Sequence, residues 1–117
     1  MKYILIIISF FPFLVGLSQA EIEGVWDTGT DNTIIQIYKS STQFEGKVIS
    51  SDNEKAKPNM QVIRNVKKVG DHWEGEFYIP FFGKWLDTEL RPEQNNLKVK
   101  VHVGWFSKSK TWRRKTE

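Results

Sequence analysis

His72-Trp73-Glu74-Gly75-Glu76-Phe77-Tyr78-Ile79 and Lys84-Trp85-Leu86-Asp87-Thr88-Glu89-Leu90, joined by Pro80-Phe81-Phe82-Gly83, decide the fold of this chain. Both runs alternate with the period of a half-buried strand, and the join carries turn residues. With Ile79 opposite Lys84, Phe77 meets Leu86 and Trp73 meets Leu90 on one apolar face. The other face then sets Tyr78 against Trp85, Glu76 against Asp87 and Glu74 against Glu89. Facing carboxylates repel, so this hairpin needs a basic neighbour. Placing Leu97 opposite Leu90 continues the apolar face through Val99 and Val101. It also brings Lys98 beside Glu89 and Lys100 beside Asp87. Opposite charges across strands contribute about 0.2–1 kcal/mol per pair, enough to support a register.

The alternation extends outward in both directions. Ile22, Gly24 and Trp26 form the inner face of a first strand, and residues 33–39, 44–50 and 61–69 follow. Beyond the hairpin come 97–104 and 109–114, with turns at 70–71, 80–83 and 92–96. Residues 51–59 are polar, contain Pro58 and read as a loop; a helical turn over 54–57 has no apolar face to bury. No sustained helical period or internal repeat interrupts this pattern. The prediction is an all-β fold, a small up-and-down barrel of about eight short antiparallel strands. Trp26 near one end and Trp112-Arg113-Arg114 near the other are read as the closing strands. With Gly104 opposite Ser109, Trp112 points inward and Arg114 stacks on Trp26. Trp26, Trp112 and Arg114 are thus the expected closure residues, and closure removes two exposed edges.

Residues 1–20 stand apart from this fold. Lys2 precedes an apolar run over 4–15 that contains Pro12 and is short for a membrane span, and Ser18-Gln19-Ala20 offers small residues for cleavage. The expectation is a cleavable signal peptide, leaving residues 21–117 as a single barrel domain. The product is then exported, periplasmic or secreted, with no stable membrane anchor after cleavage. Cysteine is absent, which removes thiol catalysis, thiolate metal sites and lipidation at the cleavage point. Lys and Arg number 17 against 14 Asp and Glu, a balance that does not point to a nucleic-acid partner.

The residues that carry chemistry are sparse. His72 and His102 are scattered, the serines form no nucleophile elbow, and no phosphate-cradling loop is present. The expectation is a protein that is not an enzyme, with no catalytic residues, no cofactor and no metal. Glu74, Glu76, Asp87 and Glu89 form an outer carboxylate patch that suits a hard cation, but Lys98 and Lys100 compete for it. A solvated, charge-paired sheet face is the expected role. Strand parity places the turns at 28–32, 51–59, 80–83 and 104–108 at one end. Phe81, Phe82, Trp105 and Phe106 then gather around a mouth, with Lys84, Lys108 and Lys110 near enough to meet an anionic head group. The candidate ligand-binding set is Phe81, Phe82, Lys84, Trp105 and Phe106. Two readings follow. In one, an apolar or amphipathic small ligand enters at this end. In the other, the barrel is fully packed and its aromatic turns or outer sheet dock another envelope protein; the plain structural alternative for the rings is that they fold inward and plug the barrel end.

Gly24-Val25-Trp26, Ile37-Tyr38-Lys39, Phe44-Glu45-Gly46-Lys47-Val48, Gly75-Glu76-Phe77-Tyr78-Ile79-Pro80, Gly83-Lys84 and Thr111-Trp112-Arg113-Arg114, in that order, carry a family likeness. Across nearly the whole mature chain the sequence resembles domain-of-unknown-function family 2147, exported bacterial proteins. The resemblance implies a lipocalin-like β-barrel of the cell envelope and carries no established activity. Ile79 stands where the family's turn leads one to expect aspartate before Pro80, and Phe81-Phe82 replaces a more polar pair. If that turn is a binding mouth, the one in this chain is greasier.

Overall fold

A computed structural model describes residues 21–115, so the signal peptide read in residues 1–20 lies outside the described part. Strands β1 (Gly24–Asp27), β2 (Ile34–Ser40), β3 (Gln43–Ser50), β4 (Gln61–Val69), β5 (His72–Ile79), β6 (Lys84–Glu93), β7 (Asn96–Val103) and β8 (Phe106–Arg114) follow in chain order. Each pairs antiparallel with the next, and β8 returns to β1 to close a barrel. The described residues contain no helix. The fold is the expected all-β up-and-down barrel.

The β5–β6 hairpin has the register its sequence predicts, with Ile79 opposite Lys84, Phe77 opposite Leu86 and Trp73 opposite Leu90. The next two hairpins are tighter than expected. Leu90 faces Val99 rather than Leu97, Glu89 faces Lys100, and Lys98 faces Arg91. The cause lies at Pro92, which stays within β6 while the turn shrinks to Gln94-Asn95, with Gln94 at φ 56°. Pro92 sits beyond Trp73↔Leu90, the last β5–β6 pair, so its missing N–H costs no ladder bond. Across β7 and β8, Val103 pairs with Phe106 around Gly104-Trp105, so Ser109 faces Lys100 and not Gly104. Gly104 adopts φ 62°, which a two-residue hairpin demands and glycine supplies without strain. Moving Ser109 from residue 104 to residue 100 is an even step. Parity survives it, and Trp112 is still buried.

One half of the interior is filled. Ile22, Trp26, Phe44, Val66, Leu90 and Leu97 pack there. Phe44 meets Trp73 edge-on with ring centres 5.2 Å apart, and Phe77 meets Trp112 in the same way at 5.5 Å. Such edge-to-face pairs add about 0.5–1.5 kcal/mol beyond area burial. All buried side-chain polar atoms of the described residues have partners.

Closure is short. Trp26 pairs with Arg114 and Asp27 with Arg113, and the Lys115 N–H donates to the Val25 carbonyl at 2.8 Å. The Arg114 guanidinium lies over the Trp26 ring at 4.4 Å and donates to the carbonyls of Glu23 and Glu21, each at 2.9 Å. Trp26 Nε1 donates to the Ile22 carbonyl at 2.9 Å. Gly24 lies directly under Arg114 at φ 139°, and a Cβ there would collide with the guanidinium. Arginine thus ties the leading segment to the last strand by a stack and two hydrogen bonds. Replacing Arg114 by alanine is expected to lower stability by about 2 kcal/mol. Arg113→Ala, at an exposed position, changes it by less than about 0.5 kcal/mol. Urea unfolding midpoints of the two variants make the comparison; equal midpoints would refute the role given to Arg114.

Candidate functional site

Alternating strand direction brings the 28–33, 51–60, 80–83 and 104–105 connections to one end of the barrel. Beneath them lies a cavity of about 330 Å³, walled by Ile35, Val48, Val62, Val99 and Val101. Phe77, Val99 and Trp112 border both this space and the packed half, and so divide the two. The volume falls at the small end of the about 300–1,000 Å³ range of ligand pockets. An inward-facing valine wall does not fill a barrel as leucine or phenylalanine would. Trp26, Phe44 and two leucines help fill the packed half, whereas Ile35, Val48, Val62 and Val101 leave the open half unfilled.

The candidate residues divide. Phe81 and Phe82 line the cavity mouth and meet edge-to-face at 5.3 Å. Lys84, Trp105 and Phe106 are not part of the lining. Trp105 is 94% exposed, Phe81 86%, Phe106 45% and Phe82 42%, so the rings do not turn inward to plug the barrel. Lys108 and Lys110 belong to the cavity wall. They share the inward parity of Trp112 on β8, which the expected 104–108 turn obscured.

Sequence reasoning missed part of this rim. Ala56 is buried and lines the cavity, although a helical turn over 54–57 offers no apolar face in the sequence. Asn53 shapes the turn that delivers it: Oδ1 accepts from the Lys55 N–H and the main-chain carbonyl from the Ala56 N–H, both at 2.9 Å. This loop is tied to the β1–β2 turn. The Asp52 N–H donates to the Asp31 carbonyl at 2.8 Å, Asn32 Nδ2 donates to Asp52 Oδ2 at 2.7 Å, and the Thr33 and Ser51 hydroxyls lie 2.6 Å apart. Thr28, Thr30 and Thr33 add hydroxyl groups to the same rim. The local sequence signal for Ala56 is one small apolar residue in a polar run, too weak to find it.

The barrel is parted above its closure. Beyond Asp27↔Arg113, β8 has no strand on its β1 side. The Arg114 N–H bonds to Asn95 on the β7 side and the Lys115 N–H to Val25 on the β1 side. Antiparallel alternation therefore turns the main-chain groups of Ser107, Ser109 and Thr111 toward this slit. The β1–β2 turn satisfies its own groups: the Thr28 N–H and hydroxyl both donate to the Thr33 carbonyl, at 3.1 and 3.0 Å. The Lys110 ammonium donates to the Thr30 hydroxyl across the gap. Among the described residues, neither Lys108 nor Lys110 joins an ion pair. A cavity with apolar walls and two cations at its slit can hold an apolar body with a polar or anionic end.

The outer face is chemically quieter. Arg64 Nε contacts Glu76 Oε1 at 2.7 Å, and its guanidinium lies over Trp85 at 3.9 Å. That hydrogen bond holds the Glu76 carboxyl below its ordinary range. Glu89 is pushed up by burial, but its hydrogen bond to His102 and the charges of Lys100, His72 and Arg91 outweigh this and leave it lowered. Glu74 meets His72 at 2.8 Å. Three carboxylates of the candidate cation patch are thus occupied by basic side chains. Among the described residues, no group of three or more His, Asp or Glu is placed to hold a metal.

His72 bonds to Glu74 and, through Nδ1, to Asp71 at 3.2 Å; these bonds, Glu74 first, raise its pKa above the usual 6.5. The stabilisation is complete below the unfolded value and disappears as pH rises through the higher folded value. In an NMR titration the His72 ring should titrate above 6.5, and Glu74→Gln should bring the midpoint down. An unmoved midpoint would show that the Glu74 contact does not set it.

No curated protein and no solved structure matches the chain. Residues 24–114, from the first strand to the last, match the profile of a bacterial family described as "Uncharacterized protein conserved in bacteria (DUF2147)". The match covers the closure, the cavity wall and both aromatic hairpins, and the chain belongs to that family.

Proposed function

We infer that this barrel is a non-catalytic binding module of the cell envelope, exported by its leader, which takes a small amphipathic ligand at its open end. The observation that carries the reading is the apolar cavity of about 330 Å³ opening between Phe81, Phe82 and the Lys108–Lys110 side of β8. A methylene takes roughly the room of a water, about 30 Å³, so the space suits a chain of about ten carbons. Burying each methylene contributes about 0.8 kcal/mol before the cost of ordering ligand and rim. Ten methylenes supply about 8 kcal/mol before that cost, so a plain alkyl chain binds more weakly than micromolar and the polar end adds the rest. The apolar chain occupies the valine-lined space, and its polar end lies at the slit among Thr28, Thr33, Lys108 and Lys110. This arrangement resembles lipocalin-type binding in kind, with a smaller chamber.

The test is titration with an environment-sensitive amphipathic dye such as anilinonaphthalene sulfonate, followed by displacement with decanoate. Saturable binding, weaker than micromolar for decanoate, is expected. Val101→Phe, which projects into the cavity, should weaken it at least tenfold, and Phe82→Ser by a few-fold. Trp105→Ser should leave it within twofold, because Trp105 is outside the lining. Dye binding unaffected by Val101→Phe would refute the cavity as the site.

A further inference from the structure

We propose that the open end of the barrel docks on an anionic lipid bilayer, with the β5–β6 and β7–β8 hairpin tips entering the interface. The first support is where the exposed apolar side chains lie. Among the described residues, Phe81, Phe82, Trp105 and Phe106 are all exposed and crowd onto these two tips; Ile49 and Val69 are scattered elsewhere. Trp105 and Phe81 leave most of their surface in water, so packing of the barrel does not account for them. Each tip is a compact wedge. Phe81 meets Phe82 at 5.3 Å and Trp105 meets Phe106 at 5.4 Å, both edge-on. The first tip is held by the Phe82 and Gly83 N–H groups, which donate to the Ile79 carbonyl at 3.0 and 2.9 Å. Tryptophan favours the lipid–water boundary because its ring is apolar and its N–H reaches the head groups.

Charge gives the second support. No acidic residue occurs in 80–84 or 104–110, whereas Lys84, Lys108 and Lys110 are exposed there. The other two connections of the same end carry Asp31, Asp52 and Glu54 against Lys55 and Lys57, and so have no excess of positive charge. An anionic surface therefore attracts the side of the open end that carries the two aromatic tips more than the other, which sets a tilted approach. Two narrow wedges enter lipid without needing a shaped counterpart, whereas a stable protein interface takes about 800 Å² from each partner. Because Phe81 and Phe82 also line the cavity, the docked barrel presents its opening to the acyl region. A ligand then passes between membrane and cavity without crossing bulk water.

Flotation of the purified mature protein with vesicles tests this. Vesicles half phosphatidylglycerol and half phosphatidylcholine should bind it, and pure phosphatidylcholine vesicles should bind far less. Trp105→Ser combined with Phe81→Ser should weaken binding at least tenfold; both positions are exposed, and an unchanged thermal melt checks that the fold is retained. Lys84→Gln combined with Lys108→Gln should weaken it about twenty-five-fold and flatten its salt dependence, each lysine being worth about fivefold near such a surface. The cavity-filled Val101→Phe protein should still float, so loss of the ligand reading leaves this result separate. Absence of flotation at low salt would overturn the proposal, as expected if the tips serve a protein partner. So would full binding by the aromatic double variant, which would mean charge alone holds the protein to the vesicle.

Discussion

The seam between β1 and β8 is the constraint on which the structure depends. Two residue pairs close the sheet, and one side chain, Arg114, adds a stack on Trp26 and two bonds to carbonyls of the leading segment. Nothing comparable joins the two strands higher up, where β8 continues without a neighbour. Short closure therefore produces both halves of the molecule. Below it the wall is continuous and the interior is filled; above it the wall parts and a cavity remains. A fully zipped seam would make a tighter protein with a narrower way in.

The polar groups follow the same division. Around the base, carboxylates on the outer face find Arg64, His72, Arg91 or His102, and charge is neutralised locally. Toward the open end, Lys108 and Lys110 share the cavity lining with apolar residues, threonines and Asp31, and neither joins an ion pair among the described residues. Lysine on an unpaired strand edge also discourages another strand from adding there. The two lysines thus protect the edge and give the slit its sign.

The barrel was legible because alternation is a local property that tertiary packing reinforced, and the β5–β6 pairing followed from residues 72–90 alone. Registers of the next hairpins were not legible. Pro92 looked like a turn residue, yet it tolerates a strand end where no partner needs its N–H, and Lys108 looked like turn polarity while facing inward. Both errors moved strands by even steps, so the inside and outside assignments survived. The mouth was half legible. Strand parity placed Phe81, Phe82, Trp105 and Phe106 at one end, but which rings line a cavity depends on turn length and on Ala56. That alanine arrives by a loop whose path is fixed by hydrogen bonds to residues far away in sequence.

A wall joined at its base and parted above is a leaf spring. Bending stiffness is concentrated near Trp26 and Arg114, and compliance grows toward Lys108, where lateral support ends. The chamber accordingly has no fixed calibre: its floor is rigid and its throat yields. Under the proposed binding role, discrimination between ligands should be strict for whatever reaches the floor at Trp112 and lenient for whatever remains in the throat. For the proposed amphipathic ligand, chain length is then the quantity such a barrel measures, and bulk near the polar end is what it forgives.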